Sequence, residues 1–181
     1  MRKRTLILTG TVLLLTLVLA IPASASKSWK IKGEVIAADL LPPIPPLEVQ
    51  RGNTCHVTAN VRDTWAGDMV GVSMMEERIM SKGPCMGGPY WEEVNRIEHY
   101  FTGTILGSQV GTIRISCSEK TNVAPYLDPN AVWEDYCVLH SGTGGLANVH
   151  GHFREVYPAS WVSPDPSNRP TYEGEVHFDP K

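Results

Sequence analysis

Asp135 is the residue whose neighbours make the sharpest chemical demand. In the stretch from Val132 to His140 it alternates with Trp133, Cys137 and Leu139, and the two-residue period of a strand turns all four toward one side. A carboxyl on an interior face must be hydrogen bonded or shifted in its pKa. Asp135 and Trp133 are therefore read as candidates for lining a ligand site. Arg114 is not read as the partner of Asp135, because alternation sets it opposite Ile113 and Ile115. His150-Gly151-His152 puts two imidazoles on one strand face, with His177 on a later strand; with a third ligand such a pair can hold zinc, copper or nickel. Val149 and Phe153 suit a core better than these histidines do, so the imidazoles are placed on an outer wall and no metal is assigned.

Glu76-Glu77 and Glu92-Glu93 can each turn one carboxyl inward, since consecutive strand residues face opposite ways. A buried one could act as a general acid or base; charge facing solvent is the plainer reading. His140 and Ser141 are poorly arranged by the same alternation and no G-x-S-x-G is present, so no hydrolase triad is read. Gly142, Gly144 and Gly145 lack the strand-to-helix setting of a dinucleotide or phosphate loop. No catalytic residue and no cofactor is assigned. The five tryptophans, Trp29, Trp65, Trp91, Trp133 and Trp161, could line an apolar or carbohydrate cleft or close the end of a barrel. Trp65, beside a turn, and Trp161, in a proline-rich loop, are expected to be the exposed pair. Trp65, Trp91 and Trp133 join Asp135 as ligand-binding candidates.

The elements that would position these groups are strands. Trp29 to Ala37 alternates Trp29, Ile31, Gly33 and Val35 against lysines and Glu34. Leu40 to Leu47 carries four prolines and is read as an extended polyproline connector. Further strands are predicted over His56 to Asp63, Asp68 to Met80 and Trp91 to Phe101. The alternation in the second of these is expected to break as a bulge at Met74-Met75 and Glu76-Glu77, with a two-turn helix over Met74 to Met80 as the competing reading. Thr102 to Gly111 reads as a glycine-rich turn feeding a strand to Cys117. After the turn from Ser141 to Gly145, Ala147, Val149, Gly151 and Phe153 are assigned to one face, and Leu146, Asn148, His150 and His152 to the other. A proline-rich loop, 158–170, leads to a last strand over Thr171 to Phe178. Seven or eight strands with little helical periodicity predict an all-β barrel or sandwich.

The chain begins with Arg2-Lys3-Arg4, an apolar run from Leu6 to Ala20, and small residues ending at Ala23-Ser24-Ala25. This is the order of a secretory signal, 1–25, cut after Ala25. The remaining 26–181 is long enough for a single domain with one core. Losing three of the 16 basic residues leaves 13 against 19 acids, a formal charge of −6 where the whole chain has −3. That balance argues against nucleic acid as a partner, and no stable transmembrane segment is expected after processing. All four cysteines, Cys55, Cys85, Cys117 and Cys137, lie in the exported part. In an oxidising compartment they read as two disulfides with three possible connectivities; order along the chain favours Cys55 with Cys85 and Cys117 with Cys137.

The succession T-G-T-I-L-G-S-Q-V-G-T, then L-H-S-G-T-G-G-L-A-N-V-H-G-H-F and Y-x-G-x-V-H-F resembles the superfamily of small barrels that holds plant allene oxide cyclases, dirigent proteins and uncharacterised bacterial domains. It looks closest to the bacterial group. The resemblance runs from about Trp91 to Asp179 and implies an eight-stranded antiparallel barrel whose interior admits an apolar small molecule, assembled as a homodimer or homotrimer. In the cyclases the pocket shapes a reactive fatty-acid epoxide, and in dirigent proteins it orients phenoxy radicals. Neither set of pocket residues maps onto this chain, which departs from the pattern in its proline connector, its cysteines and the 158–170 insertion. The expected function is that of a secreted or periplasmic barrel holding a small hydrophobic molecule. A cofactor-independent isomerase or cyclase, or an extracellular interaction module with a filled barrel, are the alternatives.

Overall fold

The computed structural model describes residues 27–43, 46–85, 93–121, 132–140, 142–158 and 168–180. The signal segment, Glu92, Trp91, Ser141 and Trp161 lie outside them. Ten strands follow in chain order: β1 (Ser28–Leu41), β2 (Leu47–Arg51), β3 (Thr54–Gly67), β4 (Met69–Lys82), β5 (Glu93–Ile105), β6 (Gly111–Thr121), β7 (Val132–Leu139), β8 (Thr143–Gly144), β9 (Val149–Pro158) and β10 (Thr171–Phe178). They pair in the order β1-β10-β9-β7-β6-β5-β4-β3, and a further β1–β3 ladder closes the ring. Eight antiparallel strands thus form a closed barrel, which leaves none of the eight with a free edge over its whole length. No helix long and apolar enough to cross a membrane occurs among the described residues.

The two ends of the barrel are built differently. At one, the hairpin end, the turns are short: Gly67 and Asp68, 106–110 and 140–148. At the other, the loop end, the connections are 42–53, 83–92, 122–131 and 159–170. The predicted polyproline connector is shorter than expected. β1 runs on to Leu41 and β2 begins at Leu47, both pairing along β3. That unpredicted strand β2 extends the line of β1.

The interior follows strict alternation. Ile31, Val35, Trp65, Met69, Phe101, Ile105, Ile113, Ile115, Leu139, Leu146, Val149, Phe153, Tyr172 and Val176 are buried together. Removing this much apolar surface from water, at about 25 cal/mol per Å2, is the main force closing the ring. Trp65 is the hub. Its ring meets Tyr172, His99, Phe153 and Phe101 at centroid distances of 5.4, 5.6, 5.9 and 6.2 Å, the last three edge to face, a favoured aromatic geometry. Beside it, inward-facing Gly71 and Gly103 are cross-strand partners. A Cβ on Gly103 would stand 2.7 Å from the Phe101 ring, so the missing side chains make room for the aromatics. At the β1–β3 crossing a Cβ on Gly33 would stand 2.3 Å from the Tyr172 hydroxyl, which accepts from Met69 N–H at 2.7 Å and donates to the Ala66 carbonyl at 3.1 Å.

Several expectations are corrected. Trp65 is 1% exposed: β3 continues through it to Gly67, so the tryptophan belongs to the strand and not to the turn. β4 pairs with β3 and β5 without a register shift; Met74-Met75 and Glu76-Glu77 keep phase, and neither bulge nor helix forms. The irregularity lies in β1, between Val35 and Ala37. Strand β5 runs through Thr102–Ile105, which leaves 106–110 as the turn. Leu146 is buried and Ala147 exposed, because 145–148 is a turn and alternation starts only at Val149. The disulfides are Cys55–Cys85 and Cys117–Cys137, the latter joining directly opposed residues of β6 and β7.

Candidate functional site

The loop-end half of the interior is where the chemistry collects. Three neighbouring strands bring carboxyls inward there: Glu119 on β6, Asp135 on β7 and Glu155 on β9, all buried. Asp135 and Glu155 are cross-strand partners, as are Trp133 and Tyr157 one step further toward that end. Glu77 on β4 is opposed by buried Ala59 and Ile97 and so shares their inward face, while its neighbour Glu76 faces out to Arg78. Asp63 on β3 completes the set, 3% exposed. All five positions are even steps from core residues on their own strands. That is how an amphipathic strand sequence delivers an acid to an interior.

Around Asp63 the groups form a network. The Trp65 indole N–H donates to Ser73 Oγ at 2.8 Å. Ser73 Oγ lies 3.5 Å from Asp63 Oδ2 and 3.2 Å from His99 Nδ1, and that nitrogen is 3.6 Å from Asp63 Oδ2. Ser73 thus joins the indole, the carboxyl and the imidazole, and which partner donates in the Ser73–His99 bond depends on the histidine tautomer. The serine sits between acid and histidine, so this is not the order of a hydrolase triad. His99 Nε2, Asp135 Oδ1, Ser81 Oγ and the Trp133 indole nitrogen are buried with no hydrogen-bond partner. A ring nitrogen of His99 and a Glu155 oxygen lie within 4.8 Å of each other and of Cys117 Sγ. That sulfur is held in a disulfide and offers no thiolate, so the trio is not a metal site.

Burial sets the protonation states. It pushes Asp63 up to about 7, against the opposing hydrogen bond from Ser73. It pushes Asp135 up to about 8, helped by the charges of Glu119 and Glu77. Glu155 is raised well above the usual carboxylate range, by burial first and then by Asp135, with Tyr157 opposing. His99, with no exposure at all, is lowered by burial to about 3 and is neutral. At neutral pH Asp135 and Glu155 are therefore mostly protonated, Asp63 is divided between its two forms, and His99 is neutral.

The sequence-derived candidates divide. Asp135 is inward and buried as expected, and Trp133 is half-buried beside Tyr157. Trp65 belongs to the packed core above the acids, and Trp91 lies outside the described residues. His150, His152 and His177 stand on the outer wall. His150 opposes His177 across β9 and β10 and pairs with Asp179 at 2.7 Å; among the described residues the three form no metal cluster. Arg114 is outside, near Glu98. Asp63, Ser73, His99, Glu119 and Glu155 were missed, although each sits at an inward position of a strand pattern. A depression of about 720 Å3 lies on the outer wall among Lys30, Lys32, Tyr136, His152, Arg154 and Glu175, away from this chemistry.

No family model and no curated protein sequence matches the chain. Among solved structures it is similar to a protein of unknown function from the DUF3224 family of Shewanella oneidensis MR-1, with a TM-score of 0.61 and 14% identity over 86% of this chain and 100% of that one. At that identity the likeness speaks for the fold alone, here a closed eight-stranded antiparallel barrel.

Proposed function

We propose that this protein is an exported barrel that binds a small molecule in the loop end of its interior, the molecule's apolar part against Met75, Ile97 and Trp133 and its polar part among the acids. The observation that carries the reading is the set of buried polar atoms without partners at that end. An unsatisfied buried group costs about 1–3 kcal/mol, and a bound molecule that supplied partners would remove that cost. Two disulfides favour an oxidising compartment, in keeping with an export signal at 1–25. Native mass spectrometry of protein purified from its source tests both points. The expected mass is that of a chain cut after Ala25 with two disulfides plus a retained compound, and a panel of small molecules is expected to raise the melting temperature and change tryptophan fluorescence. No retained mass and no response to any compound would overturn the binding reading.

A cofactor-independent isomerase is the second reading, favoured by Asp63, whose pKa near 7 suits proton exchange at neutral pH. Turnover of a bound compound that is lost in Asp63→Asn while binding persists would support it. Binding without turnover in the unaltered protein would exclude it for that compound.

A further inference from the structure

We propose that a groove across the outer wall, over β1, β10, β9 and β7, is a second binding site, and that it takes a neutral oligosaccharide laid across the strands. It lies on the other side of the wall from the interior site proposed above and does not depend on it.

The groove is made by register. Ile31, Gly174, Phe153 and Cys137 are successive cross-strand partners, and the backbone of this row forms the floor. At Gly174 a Cβ would stand 2.5 Å from the Phe153 Cβ. β10 therefore lies closer to Phe153 than any side chain at 174 would permit, and the outer surface dips there into the depression of about 720 Å3. Outward side chains before and after the floor residues form two walls about 7 Å apart, the separation of alternate residues along a strand. One wall runs Lys30, Glu175, His152, Val138, and the other runs Lys32, Glu173, Arg154, Tyr136. Crossing four strands gives the groove a length of about 14 Å.

The chemistry of the walls selects the occupant. The floor's backbone is committed to the ladders of the ring, so an extended peptide finds no strand edge to join, and recognition falls to side chains. Their charges balance: Lys30, Lys32 and Arg154 stand against Asp68, Glu173 and Glu175. An anion would meet the two glutamates in mid-groove, and a cation would meet the lysines on one side of them and Arg154 on the other. Hydroxyl groups both donate and accept and so suit a surface that alternates the two. The heads of Lys30, Lys32 and Glu173 make no hydrogen bond or ion pair among the described residues, which leaves them to a ligand, while Glu134 holds the Arg154 guanidinium in place. At the β7 end the walls become apolar, with Tyr136 and Val138 62% and 48% exposed. A sugar ring has a flat C–H face to cover the tyrosine and hydroxyls around its edge to reach the charged heads. A purely apolar molecule would desolvate those heads without giving them partners.

Calorimetric titration of the folded protein with cellohexaose, xylohexaose, mannohexaose and chitohexaose, with hexagalacturonate as the anionic comparison, tests this. At least one neutral hexasaccharide should bind, and its affinity should change by less than about twofold between about 0.05 and 0.5 M salt, since no net charge is screened. Tyr136→Ala should weaken binding by about tenfold or more, and Glu173→Gln by a smaller factor. Tyr100→Ala, which removes an equally exposed tyrosine (61%) on β5 outside the groove, should leave binding unchanged. All three positions are exposed, and an unaltered melting temperature verifies that each variant is folded. Failure of every neutral probe to bind, or binding that survives Tyr136→Ala, would overturn the site. Preference for hexagalacturonate that fades with salt would overturn the neutral assignment.

Discussion

The hairpin end and the loop end of one barrel obey the same alternation and reach opposite results. At the hairpin end the inward positions are Ile31, Met69, Ile105, Ile113, Leu139 and Val149, closed by Leu146 from the turn. The loop end has Asp63, Glu77, Glu119, Asp135 and Glu155 at equivalent positions. The first arrangement gains free energy from every residue it buries; the second gives some of it back in desolvated acids and unpartnered atoms. Strand geometry decides which way a side chain points, and its chemistry decides whether pointing inward stabilises the fold or holds a binding-competent interior at a cost.

The largest effect that would break this contrast is loss of a ring packed against the Trp65 hub. Phe101→Ala should destabilise the protein by about 3–5 kcal/mol in denaturant titrations; a cost below about 1 kcal/mol would mean that the hairpin end is not the stabilising half. Next, replacing Cys117 and Cys137 by serine removes a closure of 20 residues and should cost about 3 kcal/mol, measurable in the same way. At the loop end the sign reverses: Asp135→Asn should stabilise the protein at pH 8 by on the order of 1–3 kcal/mol, with little difference at pH 4.

The native protein's pH profile sharpens the same point. Asp63 and Asp135 have folded pKa values of about 7 and about 8 against about 3.9 unfolded. The folded state therefore binds more protons than the unfolded one between pH 4 and 8, and these groups make stability fall as pH rises. His99, lowered to about 3, acts oppositely, but only below about pH 6.5. Between pH 6.5 and 8 the acids act without this opposition, and the melting temperature should drop across that window. A flat profile would mean that the acids are solvated. The smallest effect belongs to the outer wall, where His150→Ala removes an exposed pair with Asp179 and should change stability by about 1 kcal/mol or less.

Much of the wall was legible in the residues. β10 spans the predicted Thr171–Phe178, and Ile113, Ile115 and Cys117 face the core as their alternation required. Asp135 was recognisable because Trp133, Cys137 and Leu139 flank it at even spacing. Asp63 and Glu155 were not, although each carries the same signal: Asp63 stands two residues before Trp65, and Glu155 two after Phe153. Trp65 was misplaced because Gly67 suggested an earlier turn, and Glu77 because the Met74 to Glu77 run resembled a break in period.

Local composition was enough to establish strands, their inward faces and the disulfide pairing, since each depends on the two-residue period or on order along the chain. Which inward residues become neighbours is set by the register of eight strands around a closed ring, where Asp135 meets Glu155 and His99 meets Ser73 from positions far apart in the chain. The acid cluster is therefore a property of barrel closure: five strands carry one member each, and only the packed ring withdraws them all from water at once.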